Sequence, residues 1–149
     1  MNIIDWILYI PLALCVGYLL IFAIASKFYH APRYPEARTY GRFAILFPAY
    51  KEDQVIVSSV RSFLQQDYPS EKFDIIVISD QMKPATNEEL RSLPISLLIV
   101  NYTESSKARA LNTAINSIEG EGYDGIIIMD ADNLTIPSFL SEINKAFNS

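Results

Sequence analysis

The 149-residue chain is short of the residues that most often build chemical sites. It has one cysteine, Cys15, which excludes a disulfide framework or a cysteine-based metal site within one chain. Its one histidine, His30, stands among Tyr29, Tyr34 and Tyr40 and reads as an interfacial side chain. With His30 read in that way a histidine–carboxylate triad has no support, and without a second histidine multi-histidine metal sites are excluded. The five glycines fall at 17, 41, 120, 122 and 125. Gly120, Gly122 and Gly125 do spell G-x-G-x-x-G (GEGYDG), but ahead of a strand-like run and not between a strand and a helix, so a dinucleotide fingerprint has no support; no G-x-x-x-x-G-K-[ST] occurs, so neither has a P-loop. A basic excess is also missing: the formal net charge is -5, which argues against a nucleic-acid partner. Internal repeats and low-complexity segments are absent.

Charge is missing altogether from Trp6 to Ala25, WILYIPLALCVGYLLIFAIA. Twenty helical residues reach about 30 Å, the hydrocarbon thickness of a bilayer. Asp5 alone is charged before this run, whereas Lys27, Arg33, Arg38 and Arg42 follow it against Glu36 alone. That asymmetry predicts a single-pass protein of the inner (plasma) membrane, with the C-terminal side in the cytoplasm. The same basic groups suit anionic headgroups. A signal peptide would need a basic start and a shorter apolar core than follows MNIID. A buried core helix is the other alternative, and Pro11 suits the first turn of either kind of helix. Beyond Arg42 the chain is acidic, with eight Lys/Arg against fifteen Asp/Glu, about -7 by formal count. The expected organisation is a transmembrane helix at 1–28, a basic juxtamembrane linker at 29–42 and a partial nucleotide-binding domain at 43–149. Within the linker, APRYPEARTYG reads as unfolded connection.

The remainder alternates two periodicities. Phe43–Phe47 reads as a buried strand ending at Pro48. Val55, Ile56, Val60, Phe63 and Leu64 follow helical spacing. Phe73–Ser79 reads as a strand, Asn87–Leu93 as a short helix stopped by Pro94, and Ile95–Tyr102 as a strand. Lys107–Ile118 reads as a helix with Leu111, Ala114, Ile115 and Ile118 on one face. Gly125–Met129 reads as a fourth buried strand, and Pro137–Phe147 as a final helix with Phe139, Leu140, Ile143 and Phe147 apolar. Alternating strands and helices predict an α/β fold, a mostly parallel sheet with helices on both faces. Ligands of such sheets bind beyond the carboxyl ends of the strands.

Polar groups follow each strand and would converge there: Pro48-Ala49-Tyr50-Lys51-Glu52-Asp53, Asp80, Ser105-Ser106-Lys107-Ala108-Arg109, and Asp130 with Asp132 in MDADN. Two carboxylates at i and i+2 past a strand can point the same way and offer oxygen ligands to Mn²⁺ or Mg²⁺, with substrate phosphates completing the shell. A solvated loop or a turn built on Asp132 or Asn133 is the alternative. Asp80 offers a carboxylate to a base N–H, as uracil would supply, or is an ordinary strand-end turn residue. Lys107 and Arg109 open a helix whose dipole disfavours cations, which suits an anionic ligand at that terminus; solvated basic residues are the alternative. Glu52 and Asp53 would also suit the start of the following helix.

In order and spacing, FAILFPAYKED, QQDYPSEKFDIIVISDQ, SSKARALNTAI and DGIIIMDADN resemble the N-terminal half of family 2 glycosyltransferases over about residues 43–147. The resemblance implies the GT-A fold (nucleotide-diphospho-sugar transferase-like), here preceded by one transmembrane helix. It implies a donor-binding half in which Pro48, Ala49 and Tyr50 border the nucleoside with Glu52 nearby. Asp80 contacts the base, Lys107 lies near the nucleotide, Asp132 ligates a divalent cation (Mn²⁺ or Mg²⁺), and Asp130 lies closer to the ribose or sugar. It further implies an inverting transfer from a nucleotide-diphosphate sugar, chiefly a UDP-sugar, to an acceptor hydroxyl, with a carboxylate base expected beyond Ser149. A membrane-anchored module that binds nucleotide-sugar without turnover, or a truncated remnant, is the competing expectation, and a tethered α/β domain with an incidental acidic rim is a third.

Overall fold

The computed structural model describes residues 2–29 and 34–149, in two compact units, 1–33 and 34–149. His30 and Arg33 lie outside the described residues.

The first unit is one helix, α1 (Ile3–Ser26), long and apolar enough to cross a membrane and with none of its residues buried. It begins three residues before the uncharged run, because the Asp5 carboxylate accepts the Asn2 amide at 2.7 Å and so caps the first turn. Pro11 therefore lies in the helix interior and not in its first turn. Interior proline forfeits one backbone hydrogen bond, a loss that membrane helices tolerate.

The second unit is a four-stranded, wholly parallel sheet of order β3-β2-β1-β4, built from β1 (Phe43–Tyr50), β2 (Phe73–Asp80), β3 (Ser96–Val100) and β4 (Gly125–Ile128). Strand β1 alternates faces, so its apolar run fills two cores. Phe43, Ile45 and Phe47 pack against Ile56, Val60 and Phe63 of α2 (Ile56–Phe63), Leu90 of α3 (Pro84–Arg91) and Leu140 of α5 (Phe139–Phe147). Ala44 and Leu46, with Ile76 and Ile78 of β2, pack on the other face against Ala110 and Ala114 of α4 (Lys107–Ser117). Helices thus cover both faces, as parallel sheets require.

Several element boundaries differ from those the sequence suggests. Strand β1 runs through Pro48 to Tyr50, pairing with β2 to Asp80. Leu46 faces β4, its carbonyl accepting the Met129 amide at 2.9 Å. Pro48, two residues on, faces the same side, where β4 has ended, so its missing N–H leaves no partner unmet. Helix α3 starts at Pro84 and not Asn87, since proline at the first helical position has no bond to lose. Strand β4 is an edge and only half buried: Ile126 and Ile128 are exposed while Ile127 faces the core. On α4 the buried pair is Ala110 and Ala114, and Ile115 is 41% exposed at the margin of the stripe.

The chain entering β1 is held by the last helix. Asn144 of α5, 2% exposed, accepts the Gly41 amide at 3.0 Å and donates to the Thr39 carbonyl at 2.9 Å. The Tyr68 hydroxyl donates to the Gly41 carbonyl at 2.8 Å, and the Tyr40 ring meets the Tyr68 ring edge-on. The end of the proline-containing segment is therefore fastened to the domain.

Candidate functional site

In a parallel sheet ordered β3-β2-β1-β4 the strand order reverses beside β1, and a crevice opens there at the carboxyl ends. A cleft of about 460 Å³ lies at this position. Its lining includes Pro48, Ala49, Tyr50, Glu52, Asp80, Lys107, Asp130 and Asp132, the eight residues to which the family resemblance gives a role. Ser105, Ser106, Ala110 and Ala131 complete it.

The acidic pair owes its orientation to the residue between. Ala131 is 6% exposed and tucked into the core, so Asp130 and Asp132 both project outward on the same side. The Asn133 amide donates to the Asp130 carbonyl at 3.1 Å and closes the turn. Asp130 pairs with the ammonium of Lys107, the first residue of α4. The loop beyond is fastened to α2 and the turn after it: Ser62 exchanges bonds with the Thr135 carbonyl and amide, both 3.0 Å, and Gln66 donates to the Ile136 carbonyl and accepts the Leu140 amide. These braces escape sequence reading, because Ser62 and Gln66 look like ordinary polar helix positions.

Asp80 stands at the floor, 3% exposed, and its Oδ1 is the one buried side-chain oxygen or nitrogen without a hydrogen-bond partner among the described residues. A buried acceptor left unpaired costs about 1–3 kcal/mol, so its retention beside an open cleft calls for a donor from outside. Its neighbour Ser79 faces the other way and donates to Asn87 Oδ1 at 2.6 Å. Just past the paired ends of β1 and β2 the backbone is strained. Lys51 and Gln81, the residues just past β1 and β2, have φ of 57° and 54°. Such left-handed non-glycine residues cost roughly 1–2 kcal/mol each. The Lys51 amide donates to the Asp80 carbonyl at 3.2 Å, tying the two turns together.

Two charged candidates lie elsewhere. Asp53 accepts the Lys83 amide at 2.8 Å and the Thr86 hydroxyl at 2.6 Å, capping α3 and not its own helix. The Thr86 hydroxyl first, then the Lys83 amide, holds the Asp53 carboxyl below its ordinary range. Arg109 turns to the Glu104 carbonyl at 2.8 Å and over the Tyr102 ring. Ser106 caps α4, accepting the Arg109 amide at 3.2 Å.

For a divalent cation, the donor set consists of Asp132, with no protein partner among the described residues, and Asp130, held by one ammonium. No cluster of three or more His, Cys, Asp or Glu side chains exists among the described residues. Two carboxylates suit a hard cation that takes its remaining oxygens from phosphate and water.

Comparison with known proteins agrees with this fold. The family model described as glycosyl transferase family 2 matches residues 44–149. The poly(ribitol-phosphate) beta-N-acetylglucosaminyltransferase TarS of Staphylococcus aureus is 26% identical over 98 residues, covering 62% of this chain. The chain spans only 16% of the length of that relative. Among solved structures, the mannosyltransferase PcManGT from Pyrobaculum calidifontis, in complex with GDP-Man and Mn²⁺, superposes with a TM-score of 0.66 at 27% identity, over 87% of this chain and 40% of that one. Glucosyl-3-phosphoglycerate synthase from Mycobacterium tuberculosis, in complex with Mn²⁺, UDP and phosphoglyceric acid, gives 0.56 at 17% identity over 75% of this chain and 42% of that one, a likeness of fold alone.

Proposed function

The chain belongs to glycosyl transferase family 2, and from that premise we propose that it is the membrane-anchored donor-binding half of a metal-dependent, inverting glycosyltransferase. The observation that carries this reading is the free, buried Oδ1 of Asp80 at the floor of a cleft whose opposite wall bears Asp130 and Asp132. A nucleoside-diphosphate sugar matches both ends of that arrangement. Its base supplies the donor that Asp80 lacks, and its diphosphate reaches the acidic pair and Lys107.

The chemistry of Asp80 selects among bases. A carboxylate oxygen accepts and does not donate. Uracil presents one imino N–H on its pairing edge, and guanine presents an imino N–H beside an amino group. Cytosine and adenine present an amino donor beside a ring nitrogen acceptor, and the carboxylate repels that acceptor. The unpaired Asp80 carboxylate suits an imino N–H, which uracil and guanine carry and cytosine and adenine lack, and of the two the donor is read as a UDP-sugar.

Asp132, with Asp130 beside it, would hold a divalent cation, Mn²⁺ or Mg²⁺, against the diphosphate. A cation bound there supplies Lewis-acid stabilisation of charge on the departing diphosphate. Pro48, Ala49 and Tyr50 form the wall for the nucleoside, Glu52 borders it, and Lys107 is placed to meet phosphate charge. An acceptor hydroxyl attacking in line on the face opposite the diphosphate would invert the anomeric centre. No base for that hydroxyl is assigned among the described residues. The apolar helix α1 and the basic residues Lys27 and Arg38 beyond it support a single membrane pass with this cleft on the cytoplasmic side. In that organisation residues 1–28 span, 29–42 connect, and 43–149 bind.

The test is a calorimetric titration of the detergent-solubilised chain with UDP, GDP and CDP, each with Mn²⁺ and with EDTA. Binding of UDP, stronger than GDP and much stronger than CDP, and weakened by EDTA is the expected result. Equal binding of CDP, or indifference to EDTA, sinks the base and metal assignments respectively.

A further inference from the structure

We propose that Gln81 is a positioning residue of the donor site, whose carboxamide fastens the loop before α4 to the end of β2 and so fixes one wall of the cleft relative to Asp80. This role rests on the donor-site reading above.

Gln81 sits at φ 54°, immediately after Asp80. Glycine would adopt that backbone without strain, so a side chain here is kept against a local cost. Its Nε2 donates to the Tyr102 carbonyl at 3.2 Å and to Ser105 Oγ at 3.3 Å. Those two residues belong to the connection between β3 and α4, and the cleft is lined by Ser105, Ser106 and Lys107. The loop's other side-chain ties run to its own helix. The Arg109 guanidinium donates to the Glu104 carbonyl at 2.8 Å, and the Tyr102 hydroxyl meets Thr113 Oγ1 at 2.5 Å. They order the loop with respect to α4 but not with respect to the base-reading carboxylate. Gln81 supplies that second reference, because it is covalently next to Asp80. At the far end the same wall is tied to β4 through Lys107 and Asp130. The strained residue past β1 does something different: the Lys51 ammonium lies 4.9 Å over the Tyr50 ring. Strain concentrated at a ligand cleft is the usual sign of an orientation maintained for binding.

A role in positioning and a role in stability predict opposite results for Gln81→Gly, since glycine relieves the backbone while removing the clamp. In the full detergent-solubilised chain, the thermal midpoint of Gln81→Gly should equal or exceed that of the wild type. Its UDP dissociation constant should rise about three- to tenfold, as the loss of such bonds gives. Gln81→Asn tolerates the left-handed backbone but is one methylene short, and should show the same loss of affinity. Amide hydrogen exchange in residues 102–106 should accelerate in both variants. Unchanged UDP affinity in Gln81→Gly would overturn the role while leaving the donor site standing. Affinity and midpoint falling together in both variants would likewise overturn it, reducing Gln81 to a structural residue. A wild-type chain that binds neither UDP nor GDP would overturn the donor-site reading, and this role with it.

Discussion

Lys107 and Asp130 form an ion pair across the mouth of the cleft, joining the first residue of α4 to the first acidic residue past β4. Both side chains are more than half exposed, at 55% and 59%, so the pair contributes little to folding, about 0.5 kcal/mol. Its consequence is for charge at the site. One ammonium neutralises one of the two carboxylates until a competing cation or a phosphate arrives. Lys107→Met should therefore leave the thermal midpoint nearly unchanged while weakening UDP binding about tenfold. Mn²⁺ binding without nucleotide should strengthen, which manganese electron paramagnetic resonance would read directly.

Asp132 has no such neutralising partner among the described residues. Asp132→Asn should abolish the metal-dependent part of UDP binding and leave the part that survives EDTA. Undiminished binding with Mn²⁺ would remove Asp132 from the site.

Asp80→Asn exchanges a pure acceptor for a group that both accepts and donates. It should weaken UDP binding about ten- to a hundredfold, from loss of a charge-assisted bond. The discrimination against CDP should shrink at the same time, because the new amide can donate to the cytosine ring nitrogen. A competition titration of the two nucleotides measures both effects.

Asp53 supplies a dependence of stability on pH. Its carboxyl is held below the ordinary carboxylate range by Thr86 and Lys83. A depressed folded-state value means that the unfolded chain binds the proton first as the pH drops. The stabilisation is thus present above the ordinary carboxylate range and lost as pH falls through it. Thr86→Val should cost about 1 kcal/mol at neutral pH and flatten the acid limb of the stability curve, followed by denaturant melts at pH 3 to 7.

What could be read from the sequence and what could not follow one physical division. Runs such as Phe43–Phe47 and Phe73–Ser79 announce buried parallel strands because both faces must be apolar, and the polar groups that follow them mark the rim. The cleft gathers those groups because the topology brings strand ends together, so the order of motifs was informative even where each alone was not. Long-range polar ties are another matter. Asn144 reads as a solvent-facing helix residue, yet it is 2% exposed and fastens Thr39 and Gly41. Gln66 and Ser62 bind backbone more than sixty residues away, with no spacing rule to reveal it. Asp53 suited the start of its own helix and instead serves α3, accepting from Lys83 and Thr86 some thirty residues on. Ile126 and Ile128 are exposed because α4, on their face of the sheet, packs chiefly over β1 and β2, a matter of strand order and not of composition.

Pro48 gives the last of these relations its sharpest form. Leu46 still accepts a bond from Met129, but the next residue to face β4 is a proline, with no hydrogen to offer. The ladder between the two strands can neither lengthen past that point nor slide forward by one repeat without losing a rung. The chain peels away after Met129, and the acidic pair begins one residue later. The address of Asp130 and Asp132 is thus written by an atom missing from the neighbouring strand, and a mutation at Pro48 would be felt first as a misplaced rim.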